Sequence, residues 1–408
     1  MRALVFFSIF ASTLAYSATK DPVTAEDDSS LVENSNQCSY RNLYDDQDSI
    51  LSQIPIYDQS GLGTCYAYSS AQLIDFYLKK NGDPLHGENI SPVWIAFNHK
   101  MHENKLKHFL TQTKEDSLEY SSAKWAIKDL QKYGACKNEV INKSVLEFSK
   151  NKHLSQAEYF FLLTRIWEAR KNVQNNDLNK IVDLLSNDPD VQDLLKKIVE
   201  KHRKDSETEV NAEDNILKRM VRNVQNKIEA HQKTGVLLDF LKQNLFKDCV
   251  DDAMVSISLP PIKDLGRYYA SNVKISSRIK AILDDENPEP LAVGYCSNMY
   301  EVHVAPIKRR ALFPRVLGIA AQKSCSPHYS LIVGKRPSPE NNHCDYLVRN
   351  SYGTGFWTDK YECYCEDKDG TKRNCSSKKD KNNTELKVLG CWIDGNDLEN
   401  VTFDLVHF

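Results

Sequence analysis

The stretch Asp58–Ser69 constrains the fold more than any other part of the sequence. Two glycines, Gly61 and Gly63, indicate a turn, and apolar residues then recur at helical spacing, which predicts a helix from about Cys65 onward. A cysteine in the first turn of a helix lies where unpaired N–H groups and the helix dipole favour a thiolate. Folding of the turn would also bring the Gln59 amide beside the sulfur as an oxyanion donor.

Two later segments supply partners for this cysteine. His328 begins an apolar strand and Asn350 follows a second strand, so antiparallel pairing would bring the two side chains together. An asparagine oxygen that accepts from one ring nitrogen leaves the other nitrogen for the thiol. The alternative is a buried inert cysteine, a core histidine and a turn asparagine. Three motifs in a consistent order argue against that coincidence. Other histidines, such as His99, show no partner at a recognisable spacing.

Taken together, these segments resemble the motifs of the papain-like cysteine proteases, the papain and cathepsin type. The nucleophile motif, Gln-Gly-x-Cys-Gly-Ser-Cys-Trp-Ala-Phe-Ser, is matched at Gln59, Gly63, Cys65, Ala67 and Ser69. The Asn-Ser-Trp-Gly-x-x-Trp-Gly motif is matched at Asn350, Ser351, Gly353 and Gly355. Two positions depart from the family pattern: Leu62 stands where a disulfide cysteine is usual, and Tyr352 replaces the tryptophan that shields the His–Asn pair.

The resemblance implies an α+β protein with the papain-like two-lobed fold, a helical lobe plus a β-barrel-like lobe. It implies peptide-bond hydrolysis by Cys65, His328 and Asn350, with an oxyanion hole made by the Gln59 amide and the Cys65 backbone N–H. Tyr120 and Ser121 occupy the place of a family Gly-Gly pair, where side chains would narrow the substrate cleft. The full set of cleft candidates is Gly63, Tyr120, Ser121, Pro327 and Tyr352. We expect no metal and no cofactor.

Residues 137–248 have the texture of a helical insertion. They contain a capping box opening at Ser155 and several apolar stripes at helical spacing. Without them, His328 follows Cys65 by about 150 residues, close to the ~130–150 expected for such enzymes. The predicted domains are a helical catalytic lobe at 49–136, the inserted α-helical subdomain at 137–248, and a β-rich lobe with a Cys-rich C-terminal extension at 249–408. A Cys136–Cys249 disulfide across the base of the insertion is a further hypothesis.

The N-terminal residues predict export. Residues 1–17 have the charge, apolar run and cleavage site of a signal peptide, and residues 18–48 read as a mobile polar leader. Eleven cysteines are an odd number, so pairing all except Cys65 would give five disulfides in a secreted or extracytoplasmic protein. In that setting the Cys363, Cys365 and Cys375 cluster favours a disulfide-linked hairpin over a metal site.

The charge balance narrows the range of partners. The net charge is −3, from 53 basic and 56 acidic residues, which gives no basis for nucleic-acid binding, and no stretch predicts stable membrane insertion. Peptide or protein substrates are the expected partners, and the 137–248 insertion is expected to gate the cleft or dock a protein. Two alternative functions stay open: a Cys–His amidase acting on cell-wall peptides, and an inactive papain-fold binding module.

Overall fold

The computed structural model describes residues 38–46, 49–82, 85, 87–103, 118, 119, 121–149, 154–173, 177–203, 212–230, 237–251, 253–264, 272–300, 325–339, 343–380, 383 and 385–408. These residues belong to one structural unit, Gln37–Phe408. The predicted signal peptide, most of the leader, and the cleft candidate Tyr120 lie outside them.

The described residues form a mixed α+β structure, which confirms the α+β part of the predicted fold class. The helices are α1 Cys65–Asn81, α2 Pro92–His102, α3 Ala123–Tyr133, α4 Asn138–Ser149, α5 Gln156–Asn172, α6 Leu178–Ser186, α7 Pro189–Arg203, α8 Ala212–Ala230, α9 Leu237–Asn244, α10 Lys247–Asp251, α11 Asn272–Leu283, α12 Ser377–Asp380 and α13 Gly395–Val401. The strands are β1 Arg41–Asn42, β2 Ala135–Cys136, β3 Met254–Val255, β4 Lys263–Asp264, β5 Leu291–Cys296, β6 Pro327–Pro337, β7 Cys344–Arg349, β8 Cys363–Glu366, β9 Lys372–Cys375, β10 Lys387–Asp394 and β11 Thr402–His407.

The main sheet is antiparallel, with strand order β4-β11-β5-β6-β7-β10-β8-β9. Its centre carries the strands that the sequence predicts for the site, because β6 pairs with β7 and places Leu331 opposite Arg349. Helix α1 packs against β6 and β5, so the start of this helix faces the middle of the sheet. The C-terminal strand, β11, lies inside the sheet between β4 and β5.

Part of the predicted mobile leader belongs to the fold, so that prediction is wrong for residues 38–46. Strand β1 pairs antiparallel with β6, and Cys38 forms a disulfide with Cys344. Leu43 and Tyr44 follow and are both buried. A covalent link, two ladder positions and two buried apolar side chains together order a segment whose polar composition alone suggested mobility.

Five disulfides use every cysteine except Cys65, as the odd count predicted. Cys136–Cys249 closes the base of the helical segment and confirms the predicted pairing. The remaining bridges are Cys38–Cys344, Cys296–Cys325, Cys363–Cys391 and Cys365–Cys375. Such bridges persist in oxidising compartments, so they are compatible with an exported protein. Among the described residues, no helix combines the length and apolar character that crossing a bilayer requires.

The helical segment after Cys136 shares a core with the first helices. The predicted capping box at Ser155 is present and opens α5. From this segment, Phe160 and Phe246 stack on each other with ring centroids 5.5 Å apart, and Phe246 packs on Phe97 of α2 at 4.2 Å. Aromatic burial of this kind is a large apolar contribution, so α5 is packed onto the part of the molecule that carries Cys65.

Candidate active site

The turn before Cys65 has its left-handed backbone at Ser60, not at its glycines. Ser60 has a φ of 51°, and its N–H donates to the Asp58 carboxylate at 2.7 Å. The two glycines instead allow neighbouring side chains to approach the backbone of the turn closely. A Cβ at Gly61 would lie 2.5 Å from the Phe161 ring, and one at Gly63 would lie 3.1 Å from the Glu119 side chain. The turn is therefore packed on both sides before it enters α1.

This turn is joined directly to the segment that follows β7. The Gln59 N–H donates to the Ser351 carbonyl at 2.8 Å, and Asp58 forms a bridge with Tyr352. The Gly353 N–H donates to the Tyr57 carbonyl at 3.0 Å. These bonds hold the Asn350 turn beside the Cys65 turn, although the two are far apart in sequence.

Cys65 is the first residue of α1 and is 7% exposed. Burial raises the pKa of its thiol to about 12, while the backbone N–H groups of Tyr329, Tyr66 and Cys65 itself face the sulfur and oppose that rise. Tyr329 follows His328 in β6, so the sulfur lies beside the strand that carries the predicted base. The structure thus brings the two predicted site residues to one place.

The hydrogen bonds of Asn350 determine the tautomer of His328. The Asn350 Oδ1 accepts from the Ser351 backbone N–H at 2.7 Å, which identifies the oxygen of the amide, and it lies 2.7 Å from His328 Nε2. An oxygen cannot donate, so Nε2 carries the proton, and Nδ1 of the neutral ring is left as an acceptor. The Tyr352 hydroxyl lies 3.2 Å from Nδ1.

The charge state differs from the sequence-based expectation of a thiolate. His328 is 2% exposed, and burial lowers the pKa of its imidazole to about 4, against a smaller opposing effect of the Asn350 hydrogen bond. With the pKa of Cys65 raised by burial as well, the thiol and the imidazole are both neutral near pH 7. The helix terminus favours the thiolate, but desolvation of the sulfur outweighs it in this closed arrangement.

The Gln59 side chain, predicted as an oxyanion donor, is buried and hydrogen-bonded through both its oxygen and its nitrogen. Its Oε1 accepts from the Ser351 hydroxyl at 2.6 Å, which leaves the amide NH₂ pointing the other way, and one of those hydrogens goes to the Leu62 carbonyl at 2.7 Å. Ser351 thereby joins Asn350 to Gln59 through its backbone and its side chain. The second hydrogen of the Gln59 amide is the one that can serve an oxyanion.

The predicted cleft residues are distributed around this centre. Tyr352 stacks on the His328 ring at a centroid distance of 4.6 Å, and its hydroxyl lies 3.2 Å from Nδ1, as a shield that also carries a polar group. Pro327 is the exposed first residue of β6. The Gly63 N–H donates to the Glu119 carboxylate at 3.4 Å. The Ser121 hydroxyl contacts His99 instead.

Arg349 supports the site in a way that sequence reasoning missed. Its guanidinium is fully buried, and its five hydrogen bonds go to uncharged acceptors: Gln72 Oε1, Tyr44 Oη and the carbonyls of Leu51, Ile54 and Pro55. Because Arg349 directly precedes Asn350, these bonds attach the end of β7 to α1 and to the chain that leads into the turn before Cys65. In the sequence, the signal for this role was the presence of an arginine directly before Asn350.

One cluster outside this site has the residue types of a metal site. Ligand atoms of His343, Asp345 and Asp394 lie within 4.8 Å of one another. Their hydrogen bonds already satisfy them, because His343 Nε2 lies 2.8 Å from Asp394 and Arg336 lies 3.4 Å from Asp345. The cluster is explained by ion pairs at the ends of β7 and β10.

Comparison with known proteins adds no family. No known family model matches the sequence, and no curated protein is significantly similar to it.

Proposed function

We propose that this chain is a papain-like cysteine endopeptidase that hydrolyses peptide bonds through a thioester intermediate. The observation that carries the proposal is the connected arrangement of Cys65, His328 and Asn350, in which the sulfur lies beside the His328–Tyr329 peptide and Nδ1 is left as an acceptor. A two-lobed papain-like arrangement, with the domain boundaries predicted from the sequence, fits this site and is part of the proposal.

In the proposed mechanism, His328 acts as a general base on a neutral thiol. The Cys65 proton moves to Nδ1 as the sulfur attacks the carbonyl carbon, and Nδ1 then delivers the proton to the leaving amine. Asn350 accepts from Nε2 throughout and so keeps the ring in one orientation. Water then attacks the thioester and releases the acid. No protein group ends this cycle with a changed proton count.

Oxyanion stabilisation is assigned to the Gln59 amide and the Cys65 backbone N–H. Gln59 is buried and held by Ser351 and by the Leu62 carbonyl, so its amide does not reorganise during the reaction. One donor of this kind contributes about 2.7–4 kcal/mol to the barrier reduction. Substrate must also reach Cys65, a residue that is only 7% exposed, so binding has to open the closed arrangement.

The test is hydrolysis of a peptide library by the wild type and by Cys65→Ala, with Ser144→Ala as the matched control. Removing the nucleophile should lower hydrolysis by about 10⁴-fold or more, while Ser144, which only bonds to its own helix, should not matter. Peptide hydrolysis that survives in Cys65→Ala would refute the proposal. Cleavage of muropeptides but not of ordinary peptides would favour the amidase alternative, and no cleavage of either by the wild type would favour the binding module.

A further inference from the structure

A second arrangement of nucleophile, base and acid lies among the helices, formed by Ser121, His99 and Asp129. The Ser121 Oγ lies 2.5 Å from His99 Nε2, and His99 Nδ1 lies 2.6 Å from Asp129 Oδ2. The His99 side chain is 1% exposed, whereas Ser121 is half-buried. A hydroxyl, an imidazole and a carboxylate therefore form one hydrogen-bonded line.

The packing of two helices creates this line, and no spacing in the sequence predicts it. His99 is on α2 and Asp129 on α3, and these helices pack against each other, while Ser121 precedes the N-cap of α3. The edge of the Tyr66 ring closes one side of the His99 ring at a centroid distance of 5.9 Å. The imidazole is thus enclosed and held in one orientation.

The hydrogen bonds also assign the protons. A carboxylate only accepts, so His99 Nδ1 carries the proton toward Asp129, and Nε2 is left to accept from the Ser121 hydroxyl. The Glu103 carboxylate lies 4.0 Å from Nε2, but it is bound by Lys100 at 3.1 Å. The Ser121 hydroxyl is therefore the closer partner of Nε2. A neutral ring that is protonated on Nδ1 can accept the hydroxyl proton at Nε2, which is what activation of an alcohol requires.

The start of α3 lies next to Ser121. The N-cap residue, Ser122, does not cap the helix with its own side chain, and its hydroxyl donates to the Asp404 carboxylate at 3.1 Å. The first-turn N–H groups of a helix point toward the residues that precede it. Ser121 is one of those residues, because it directly precedes the N-cap.

We propose that Ser121 is the nucleophile of a second acyl-transfer site, which takes esters of small carboxylic acids. The Oγ proton moves to His99 Nε2 as the Oγ–carbon bond forms, and the bond to the alcohol then breaks while Nε2 returns the proton to the leaving oxygen. Water hydrolyses the acyl-serine by the same proton route. The acyl group is small because the hydroxyl is half-buried and His99 is enclosed. Nothing in these steps uses Cys65.

The experiment uses the full-length Cys65→Ala protein, so that the thiol cannot react. It is treated with a small alkyl fluorophosphonate, the modified residues are mapped by peptide mass, and hydrolysis of p-nitrophenyl acetate is followed in parallel. We expect Ser121 to be labelled at least about 100-fold faster than Ser144, a half-buried serine with no histidine partner. We also expect ester hydrolysis to be lost when Ser121→Ala is added.

Two outcomes would overturn the proposal. One is labelling of Ser121 and Ser144 at equal rates, and the other is ester hydrolysis that Ser121→Ala leaves unchanged in a protein whose circular dichroism is that of the parent. Either outcome is independent of the cysteine site, because Cys65 is absent from every protein in the experiment.

Discussion

The Cys65 site and the Ser121 site both orient a buried imidazole, but they do so with different partners. An amide oxygen, that of Asn350, holds His328, whereas a carboxylate, that of Asp129, holds His99. An amide fixes the ring but adds no charge, and it lies beside a Cys65 thiol that burial keeps neutral. A carboxylate also stabilises the imidazolium formed during proton transfer, which suits the less acidic hydroxyl. Each partner matches the nucleophile that it serves.

The largest expected effect is that of Asp129→Asn, measured as the rate of fluorophosphonate labelling of Ser121 in the Cys65→Ala protein. An asparagine here can present its NH₂ to Nδ1 and reverse the tautomer, so the rate should fall by about 10⁴-fold. The matched control is Asp264→Asn. It removes the carboxylate that lies 2.6 Å from Lys124, which is on α3 like Asp129. Equal labelling rates in Asp129→Asn and its parent would show that the Asp129 carboxylate does not help to activate Ser121.

A smaller effect concerns stability and pH. Burial lowers the pKa of His328 from an ordinary 6.5 to about 4, so between these values the unfolded chain binds a proton that the native protein does not. The free energy of unfolding should therefore rise with pH across that window, by about 3 kcal/mol for this group. The same contribution is lost when the pH falls toward 4.

The measurement is urea unfolding at pH 4.5 and pH 7 of the Cys65→Ala protein, with and without His328→Gln. The difference between the two pH values should shrink when His328 is replaced. His407, whose pKa burial also lowers to about 4, contributes equally to both proteins. An unchanged pH dependence would mean that His328 is solvated or charged in the native state.

The smallest expected effect tests how the two sites are supported. The Cys65 turn rests on Phe161 of α5, while Ser121 is supported by α2 and α3. Gly61→Ala would press a Cβ into the Phe161 ring and lower the free energy of unfolding by about 1–3 kcal/mol, measured by urea unfolding. Gly355→Ala is the control because its Cβ would meet nothing within 4 Å. The double variant Gly61→Ala/Phe161→Ala tests this contact. If Gly61→Ala lowers the free energy of unfolding as much in the Phe161→Ala protein as in the wild type, Phe161 does not support the Cys65 turn.

The sequence predicted the features that depend on local patterns. The α1 start at Cys65, the α5 capping box at Ser155, and the α+β class follow from turn chemistry, capping and periodicity. The Cys136–Cys249 disulfide followed from the position of the helical segment between those cysteines.

Features that depend on long-range packing were not predictable in this way. The His99–Asp129 pair exists only because α2 and α3 lie side by side, and single residues on two helices carry no joint signal. The closed, neutral state of Cys65 and His328 depends on burial, which motif spacing does not encode. The ordered residues 38–46 were missed because their order comes from a disulfide and a strand pairing with distant residues.

The buried Arg349 sets a limit on how the chain can be trimmed. Its guanidinium donates to Tyr44, Leu51, Ile54 and Pro55. The residue that precedes Asn350 is therefore anchored to the chain on the N-terminal side of the Cys65 turn. Proteolytic removal of residues before Cys38 would break none of these bonds. Removal of the chain through Tyr44 would take an acceptor from a buried cation and cut the segment linked to Cys344. A chain that begins before Cys38 keeps all of these bonds, whereas a chain that begins after Tyr44 lacks one acceptor of the buried guanidinium.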